Sequence, residues 1–123
     1  PPETFQQIWE MGITGKGVAV GINDTGIVKH PNLPTPAAAR DFTGKGSAED
    51  GNGHGSHCAG TVLGFEGIGV APEATLLVAK VLSDGGSGST SWINNGRIWL
   101  AESGADVISE SLGGSSGDSS DEA

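Results

Sequence analysis

The sequence predicts a three-layer α/β fold with a mostly parallel sheet, and two observations carry this prediction. Short β-branched or apolar segments alternate along the chain with segments whose apolar residues have helical spacing. One of them, residues 74–82, is nearly all apolar, which is typical of a strand covered on both faces. Strands that alternate with helices pair in parallel, because each helix carries the chain back across the sheet.

We expect about four strands and three helices. The helices are predicted at residues 4–12, 54–64 and 90–103, with Thr4 as a cap and Gly12 as a stop. The strands are predicted at residues 18–22, 39–43, 74–82 and 105–112. Residues 1–113 form the predicted domain, and the Gly/Ser/Asp-rich residues 114–123 are expected to be a mobile tail.

The charge balance narrows the classes of partner. Six basic residues against fifteen acidic ones give a formal net charge of −9, which argues against nucleic acid and against an anionic membrane surface. The single cysteine, Cys58, excludes an internal disulfide and a thiolate zinc cluster. No apolar run approaches the roughly 18 residues that a membrane span requires, and the sequence opens without a signal-like segment. We therefore expect no membrane partner and a processed chain.

Residues 50–60, DGNGHGSHCAG, place His54 and His57 at the start of a predicted helix. Asp24 follows the carboxyl end of the predicted strand at 18–22, and catalytic groups of open parallel sheets gather at the carboxyl ends of strands. An aspartate bonded to one ring nitrogen of a histidine leaves the other nitrogen free to accept a proton. Two other uses remain open from spacing alone: a pair of histidines that caps the helix, and a metal site, for which no third ligand is evident.

Six motifs follow one another along the chain. They are Asp24-Thr-Gly preceded by Val-Ala-Val, His30-Pro-Asn-Leu, the segment at 50–60, Gly69-Val-Ala-Pro, Val78-Ala-Lys-Val-Leu and Ser111-Leu-Gly-Gly. In this order and register they resemble the subtilisin-type serine proteases, the subtilases. The resemblance implies the N-terminal half of a subtilisin-type sheet and an extracellular serine endopeptidase without a cofactor.

The resemblance also implies roles for individual residues. Asp24 is the aspartate that orients the imidazole, His54 is the general base, and His57 is a structural residue of the helix. Two segments clasp an extended substrate peptide, and their residues are Gly86, Ser87, Gly88, Ser111, Leu112, Gly113 and Gly114. Glycines in such segments let a peptide backbone approach as an added strand, although a flexible loop has the same composition. Gly53 and Gly55 are expected to clear space for the substrate.

The triad serine is expected from another polypeptide. Subtilases take it from a Gly-Thr-Ser segment far downstream of the histidine, and these 123 residues contain no such segment. The text of G-x-S-x-G occurs at residues 113–117, but no strand and helix flank Ser115, so we do not expect it to be the nucleophile. The expected partners are a polypeptide substrate and either a complementary C-terminal subtilase chain or an inhibitory propeptide. The alternative is a non-catalytic designed or remnant mini-domain derived from a subtilase.

Polar residues interrupt faces that should be apolar. Glu110 shares a predicted strand face with Ile108, and Arg97 lies in the apolar stripe of the third predicted helix. Relatives usually have apolar residues at four positions, which are here Asn23, Asn94, Arg97 and Glu110. In one account Arg97 and Glu110 pair with each other in an otherwise natural enzyme. In the account that we prefer, the four residues are polar substitutions that keep an excised fragment soluble.

The resemblance also bears on calcium. Bacterial subtilisins use an aspartate where this chain has Asn32, together with an extended loop where it has the short segment 64–69. Too few oxygen ligands remain, so we expect the tight calcium site to be lost and predict no resident metal. Asp41, Glu49 and Asp50 are either weak calcium ligands or part of a solvated charged loop.

Overall fold

A computed structural model describes residues 3–111, which form three helices and four strands. The helices are α1 (Glu3–Glu10), α2 (His54–Leu63) and α3 (Thr90–Glu102), and the strands are β1 (Ala19–Asp24), β2 (Ala38–Asp41), β3 (Thr75–Lys80) and β4 (Val107–Ser109). The strands are parallel and lie in the order β2-β3-β1-β4. The predicted α/β fold is confirmed. None of the helices within this part of the chain has the length and apolar character needed to cross a bilayer.

Several element boundaries differ from the prediction by one to three residues, and two of the differences change an interpretation. The first helix already begins at Glu3, so Thr4 lies within α1 and the predicted cap is wrong. Strand β4 has three residues instead of eight, because it pairs with β1 only from Val107 to Ser109. Glu110 therefore follows the strand and does not belong to it.

Alternation along β1 divides the interior into two cores. Val20 and Ile22 pack with Ala59 and Leu63 of α2, whereas a Cβ added at Gly21 would meet Leu100 of α3. The first core comprises Val20, Ile22, Ala59, Leu63, Ala74, Leu76 and Val78, and the second comprises Leu77, Ala79, Val81, Leu82, Ile93 and Leu100. Because side chains alternate along a strand, the last residue of β1 directs its side chain to the face that α2 covers. That residue is Asp24.

The four polar residues that interrupt apolar faces form one network at the α3 side of the sheet. Arg97 donates from Nε and Nη2 to the two carboxylate oxygens of Glu110, over 2.6 and 2.8 Å. Asn23 Nδ2 donates to Glu110 over 2.7 Å, and Arg97 Nη1 donates to Asn94 over 2.9 Å. The expected pairing of Arg97 with Glu110 is thus present, and the preferred account of their origin stays a prediction.

Candidate active site

The end of β1 and the start of α2 bring Asp24 and His54 together. Asp24 is 1 % exposed, and its Oδ1 and Oδ2 lie 2.8 and 3.0 Å from Nδ1 of His54. The backbone N–H of Thr25 donates to the same Oδ1 over 2.7 Å, which orients the carboxylate. A carboxylate at Nδ1 favours the tautomer that carries its proton there. The proton-accepting chemistry of the ring is thereby left to Nε2.

The imidazole of His54 is half exposed, in contrast to its buried partner. Its side chain retains 47 % exposure, so Nε2 belongs to a ring that solvent or a substrate can reach. His57 is exposed on the next part of α2 and makes helix contacts: its N–H donates to Gly53 O, and its carbonyl accepts from Thr61 Oγ1. The two histidines therefore differ in the contact of the His54 ring with Asp24, and the structural role of His57 stays a prediction.

Cys58 completes a small cluster with the pair. Its Sγ lies 3.8 Å from His54 Nδ1, and one ligand atom from each of Asp24, His54 and Cys58 falls within 4.8 Å of the others. Burial raises the pKa of the Cys58 thiol, and the negative charges of Asp24 and Asp50 raise it further, while a hydrogen bond with Ser111 opposes them. A metal at these atoms would have to replace the Asp24–His54 hydrogen bond. His57 is not part of this group, so the arrangement does not support a two-histidine metal site.

Asp50 caps α2 from outside the helix. Its Oδ1 accepts from the N–H groups of Asn52 and Gly53 over 3.0 and 2.8 Å, and its Oδ2 accepts from N–H and Oγ of Ser56 over 2.9 and 2.7 Å. Burial favours the neutral acid, but these hydrogen bonds and one from Thr25 outweigh it and lower the pKa of Asp50 to about 2. At 5 % exposure Asp50 is not part of a solvated loop, so that interpretation is wrong for this residue.

Lys80 is a buried cation that sequence reasoning did not select. It lies at the end of β3 with no exposed surface, and its Nζ donates to Thr25 O over 2.6 Å and to Asp84 Oδ1 over 2.8 Å. Hydrogen bonds from Lys45 and Lys80 hold the pKa of Asp84 far below its ordinary value. The signal in the sequence was a lysine within the apolar run at residues 74–82.

A cavity of about 210 Å³ adjoins His54, and two of the predicted substrate-binding residues line it. Its lining residues are Thr25, Asn52, His54, Leu82, Gly86 and Ser111. The loop around Gly86 is a hydrogen-bonded turn, since Gly86 N–H donates to Ser83 O and Ser83 N–H donates to Ser87 O. Gly88 packs inward, where an added Cβ would lie 2.2 Å from Val81 O.

The remaining predicted residues lie outside the part of the chain that the structure describes. They are Leu112, Gly113, Gly114, Ser115 and the tail at 114–123.

The structure explains the glycine at position 55 by packing and not by substrate access. It is buried, and a Cβ there would lie 2.4 Å from Gly26 O and 3.0 Å from Thr25 Oγ1. The missing side chain lets α2 pack against the turn that follows β1, so the expectation that Gly55 clears space for substrate is wrong. Gly53 has φ of 103° and no atom within 4 Å of an added Cβ, so backbone conformation explains this glycine.

An aspartate bonded to Nδ1 of a histidine is the arrangement that two of the three members of a Ser-His-Asp triad adopt. The model of the subtilase family matches residues 15–123. The chain belongs to the subtilase family.

Three relatives illustrate the similarity. The chain is 45% identical over 106 residues to Subtilisin Savinase of Lederbergia lenta, and the matched segment covers 83% of this chain and 39% of that protein. It is 43% identical over 116 residues to Subtilisin DY of Bacillus licheniformis, covering 90% and 42%. It is 44% identical over 122 residues to the Major intracellular serine protease of Bacillus subtilis (strain 168), covering 89% and 38%. The chain thus spans roughly two fifths of the length of these relatives.

Proposed function

We propose that this chain supplies the aspartate and the histidine of a Ser-His-Asp triad in a serine endopeptidase. The observation that carries the proposal is the 2.8 Å contact between Asp24 Oδ1 and His54 Nδ1 beside a cavity. In this scheme Nε2 of His54 takes the proton of a serine hydroxyl as the oxygen attacks the scissile carbonyl, and then delivers it to the leaving amine. Asp24 stays ionised and stabilises the imidazolium that forms between the two steps.

The serine is proposed to come from residues outside this sequence, in the same polypeptide or in a second, complementary subtilase chain. Triad members act as a unit, so Asp24 and His54 without a serine give almost no rate enhancement. A polypeptide of these 123 residues should therefore be inactive alone. An inhibitory propeptide is a further proposed partner, and an extracellular site of action is proposed from the resemblance.

The substrate is proposed to be an extended polypeptide that binds between the segments at Gly86 and Ser111. These two residues line the same cavity as His54, which supports a substrate path that passes the imidazole. Main-chain hydrogen bonds of the added-strand type would supply affinity with little dependence on side chains. Ser87, Gly88 and residues 112–114 complete the proposed binding segments.

One observation favours the alternative of a non-catalytic mini-domain derived from a subtilase. Asn23, Asn94, Arg97 and Glu110 form one hydrogen-bonded network at the side of the sheet where relatives usually have apolar residues. A domain of this kind would keep the first half of the cleft and bind peptides without cleaving them. The two functions are distinguished by whether the protein becomes active when the serine is supplied.

The test is a chimera in which this chain replaces the matching part of Subtilisin Savinase, assayed with a fluorophosphonate probe and a peptide ester. We expect the chimera to be labelled and active, and the 123-residue chain alone to be neither. Asp24→Asn and His54→Ala should reduce kcat by the losses known for subtilisin's own triad members, about 10⁴-fold and about 10⁶-fold. His57→Ala is the matched control in the same helix and should retain activity.

A folded chimera without activity would contradict the proposal and favour the peptide-binding alternative. Labelling of the 123-residue chain alone would contradict the claim that the serine comes from elsewhere.

A further inference from the structure

Thr25 connects the aspartate of the pair to the helix that carries the histidine. Its backbone N–H donates to Asp24 Oδ1 over 2.7 Å, and its Oγ1 accepts from the N–H of Gly55 over 2.8 Å. Gly55 directly follows His54 in the first turn of α2. Thr25 is 1 % exposed, so it forms these contacts without competition from solvent.

The direction of the Thr25 hydroxyl is set by Asp50. Thr25 Oγ1 donates its one proton to Asp50 Oδ1 over 2.8 Å, which leaves its lone pairs for the N–H of Gly55. The same carboxylate accepts from Gly53 and Ser56 on either side of His54. A single buried anion thus holds both the turn after β1 and the first turn of α2.

The imidazole itself has few other constraints. It is half exposed, and its hydrogen-bond partners among the described residues are Asp24 and, at 3.8 Å, the Cys58 thiol. The position of the ring therefore depends on where the first turn of α2 lies relative to the end of β1. The contact between Gly55 and Gly26, which no side chain separates, shows how closely the two segments are packed.

We propose that Asp50 is a positioning residue for the Asp24–His54 pair and acts through Thr25. The inference rests on the proposed role of that pair in catalysis. Without the carboxylate, the hydroxyl of Thr25 is free to rotate and the N–H groups that flank His54 lose a charged acceptor. A displacement of about 1 Å in a catalytic group can cost about 10²-fold in rate, so a small shift of α2 has a large effect.

The first test uses the 123-residue chain and the NMR resonance of the His54 Nδ1 proton, which reports the hydrogen bond to Asp24 directly. In Asp50→Asn, an NH₂ group replaces one of the two accepting oxygens. It must face either the donors of Thr25 and Gly53 or those of Ser56, so one of these sets loses its acceptor. Thr25→Val removes the hydroxyl and leaves the charge of Asp50 in place. In both variants we expect this resonance to disappear or its exchange with water to become at least about 10-fold faster. Thr25→Ser keeps the hydroxyl, so the His54 resonance should be the same as in the unsubstituted chain.

Asp41→Asn is the control for loss of a loop-capping carboxylate, here a partly buried one. Asp41 accepts hydrogen bonds from Thr43, Gly44 and Gly46 at the end of β2 and does not contact the pair. We expect Asp41→Asn to lower stability and to leave the His54 resonance unchanged. If Asp50→Asn does not fold, the Thr25→Val variant tests the proposal, because this substitution is close to isosteric and changes no charge.

The second test measures kinetics in the chimera. Asp50→Asn and Thr25→Val should lower kcat by about 10²-fold with little change in KM, and Thr25→Ser should restore kcat. If the His54 proton exchanges as in the unsubstituted chain in every variant that folds, the positioning proposal is wrong. An inactive unsubstituted chimera would contradict the proposed function alone, because the NMR experiment does not depend on activity.

Discussion

Arg97 and Glu110 form a two-point ion pair that fastens α3 to the chain just beyond β4, with contacts of 2.6 and 2.8 Å. Their side chains are 25% and 20% exposed, so both charges are largely removed from water. The hydrogen bonds that Arg97 donates to Glu110 raise the pKa of the guanidinium, which stays charged at every pH of interest. The carboxylate also accepts from Asn23, so losing the arginine would leave Glu110 with a weaker set of donors.

The first prediction concerns this ion pair. Arg97→Met alone should lower the free energy of unfolding by about 1–3 kcal/mol, because it leaves the mostly buried carboxylate of Glu110 without its cation. Replacing both residues, Arg97→Ile with Glu110→Met, should cost less stability but expose an apolar face and cause association. Urea unfolding measures the first effect, and size-exclusion chromatography measures the second. Glu102→Met, an exposed change at the end of α3, controls for the added apolar side chain. A monomeric, equally soluble double variant would contradict the solubility hypothesis.

The second prediction concerns Lys80. Lys80→Met should destabilise the protein by about 1–3 kcal/mol, because the buried carbonyl of Thr25 loses its donor. Lys45→Met is the control, since Lys45 also contacts Asp84 at 2.8 Å but lies nearer the surface, and we expect little change there. Urea unfolding at neutral pH compares the two. Equal stability of the Lys80 variant and the parent would contradict the structural role of this cation.

The sequence was sufficient for the parts of the site that follow from local rules. That Asp24 and a histidine at the start of α2 lie at one edge was predicted from a strand end, a helix start and parallel topology, whereas the choice of His54 over His57 came from the resemblance. Asp50 was placed in a charged loop because its partner Thr25 is 25 residues away in the chain, and no local pattern reports that contact. Gly55 was misread for a related reason, since composition does not show whether a glycine faces a substrate or a neighbouring backbone.

The third prediction separates two glycines of α2. Gly55→Ala should destabilise the protein by several kcal/mol, because its Cβ would lie 2.4 Å from the fixed carbonyl of Gly26. Gly60→Ala should be neutral or stabilise by about 0.5–1 kcal/mol, since its Cβ would have only an ordinary 3.6 Å contact with Leu33 and alanine favours helix. Thermal unfolding of both variants measures the difference. Similar effects at the two positions would show that α2 can move away from β1 without cost.

The fourth prediction concerns calcium. Asn32 stands where the resemblance leads one to expect an aspartate, and the backbone carbonyl of Asn32 accepts from the N–H of Phe65 over 2.8 Å. A tightly bound ion would raise the melting temperature, because it stabilises the folded state by RT ln(1 + [Ca²⁺]/Kd). We therefore expect the same melting temperature, within about 1 °C, in EDTA and in millimolar calcium. Magnesium at equal ionic strength is the control, and a rise of several degrees specific to calcium would disprove the loss of the tight site.

The last prediction concerns Asp50 and acid. Its pKa is lowered from 3.8 to about 2, so its carboxylate stabilises the folded state above pH 3.8, and this contribution is lost as the pH falls through about 2. The size of the effect is on the order of 2 kcal/mol. Asp50→Asn should therefore be less stable than the parent near pH 5, and the difference should shrink toward pH 2.

Urea unfolding at several pH values between these limits measures the difference directly. The pKa of Asp41 and that of Asp84 are also lowered, but both residues are present in parent and variant, so their contributions cancel when the two proteins are compared. The control is Asp41→Asn, which should show a pH-dependent loss of its own without altering the His54 Nδ1 proton. The contrary result is a difference in unfolding free energy between the parent and Asp50→Asn that stays constant from about pH 5 to about pH 2. It would mean that the hydrogen bonds from Thr25, Gly53 and Ser56 do not favour the ionised form of Asp50. The charge of Asp50 would then contribute nothing to holding α2 against β1.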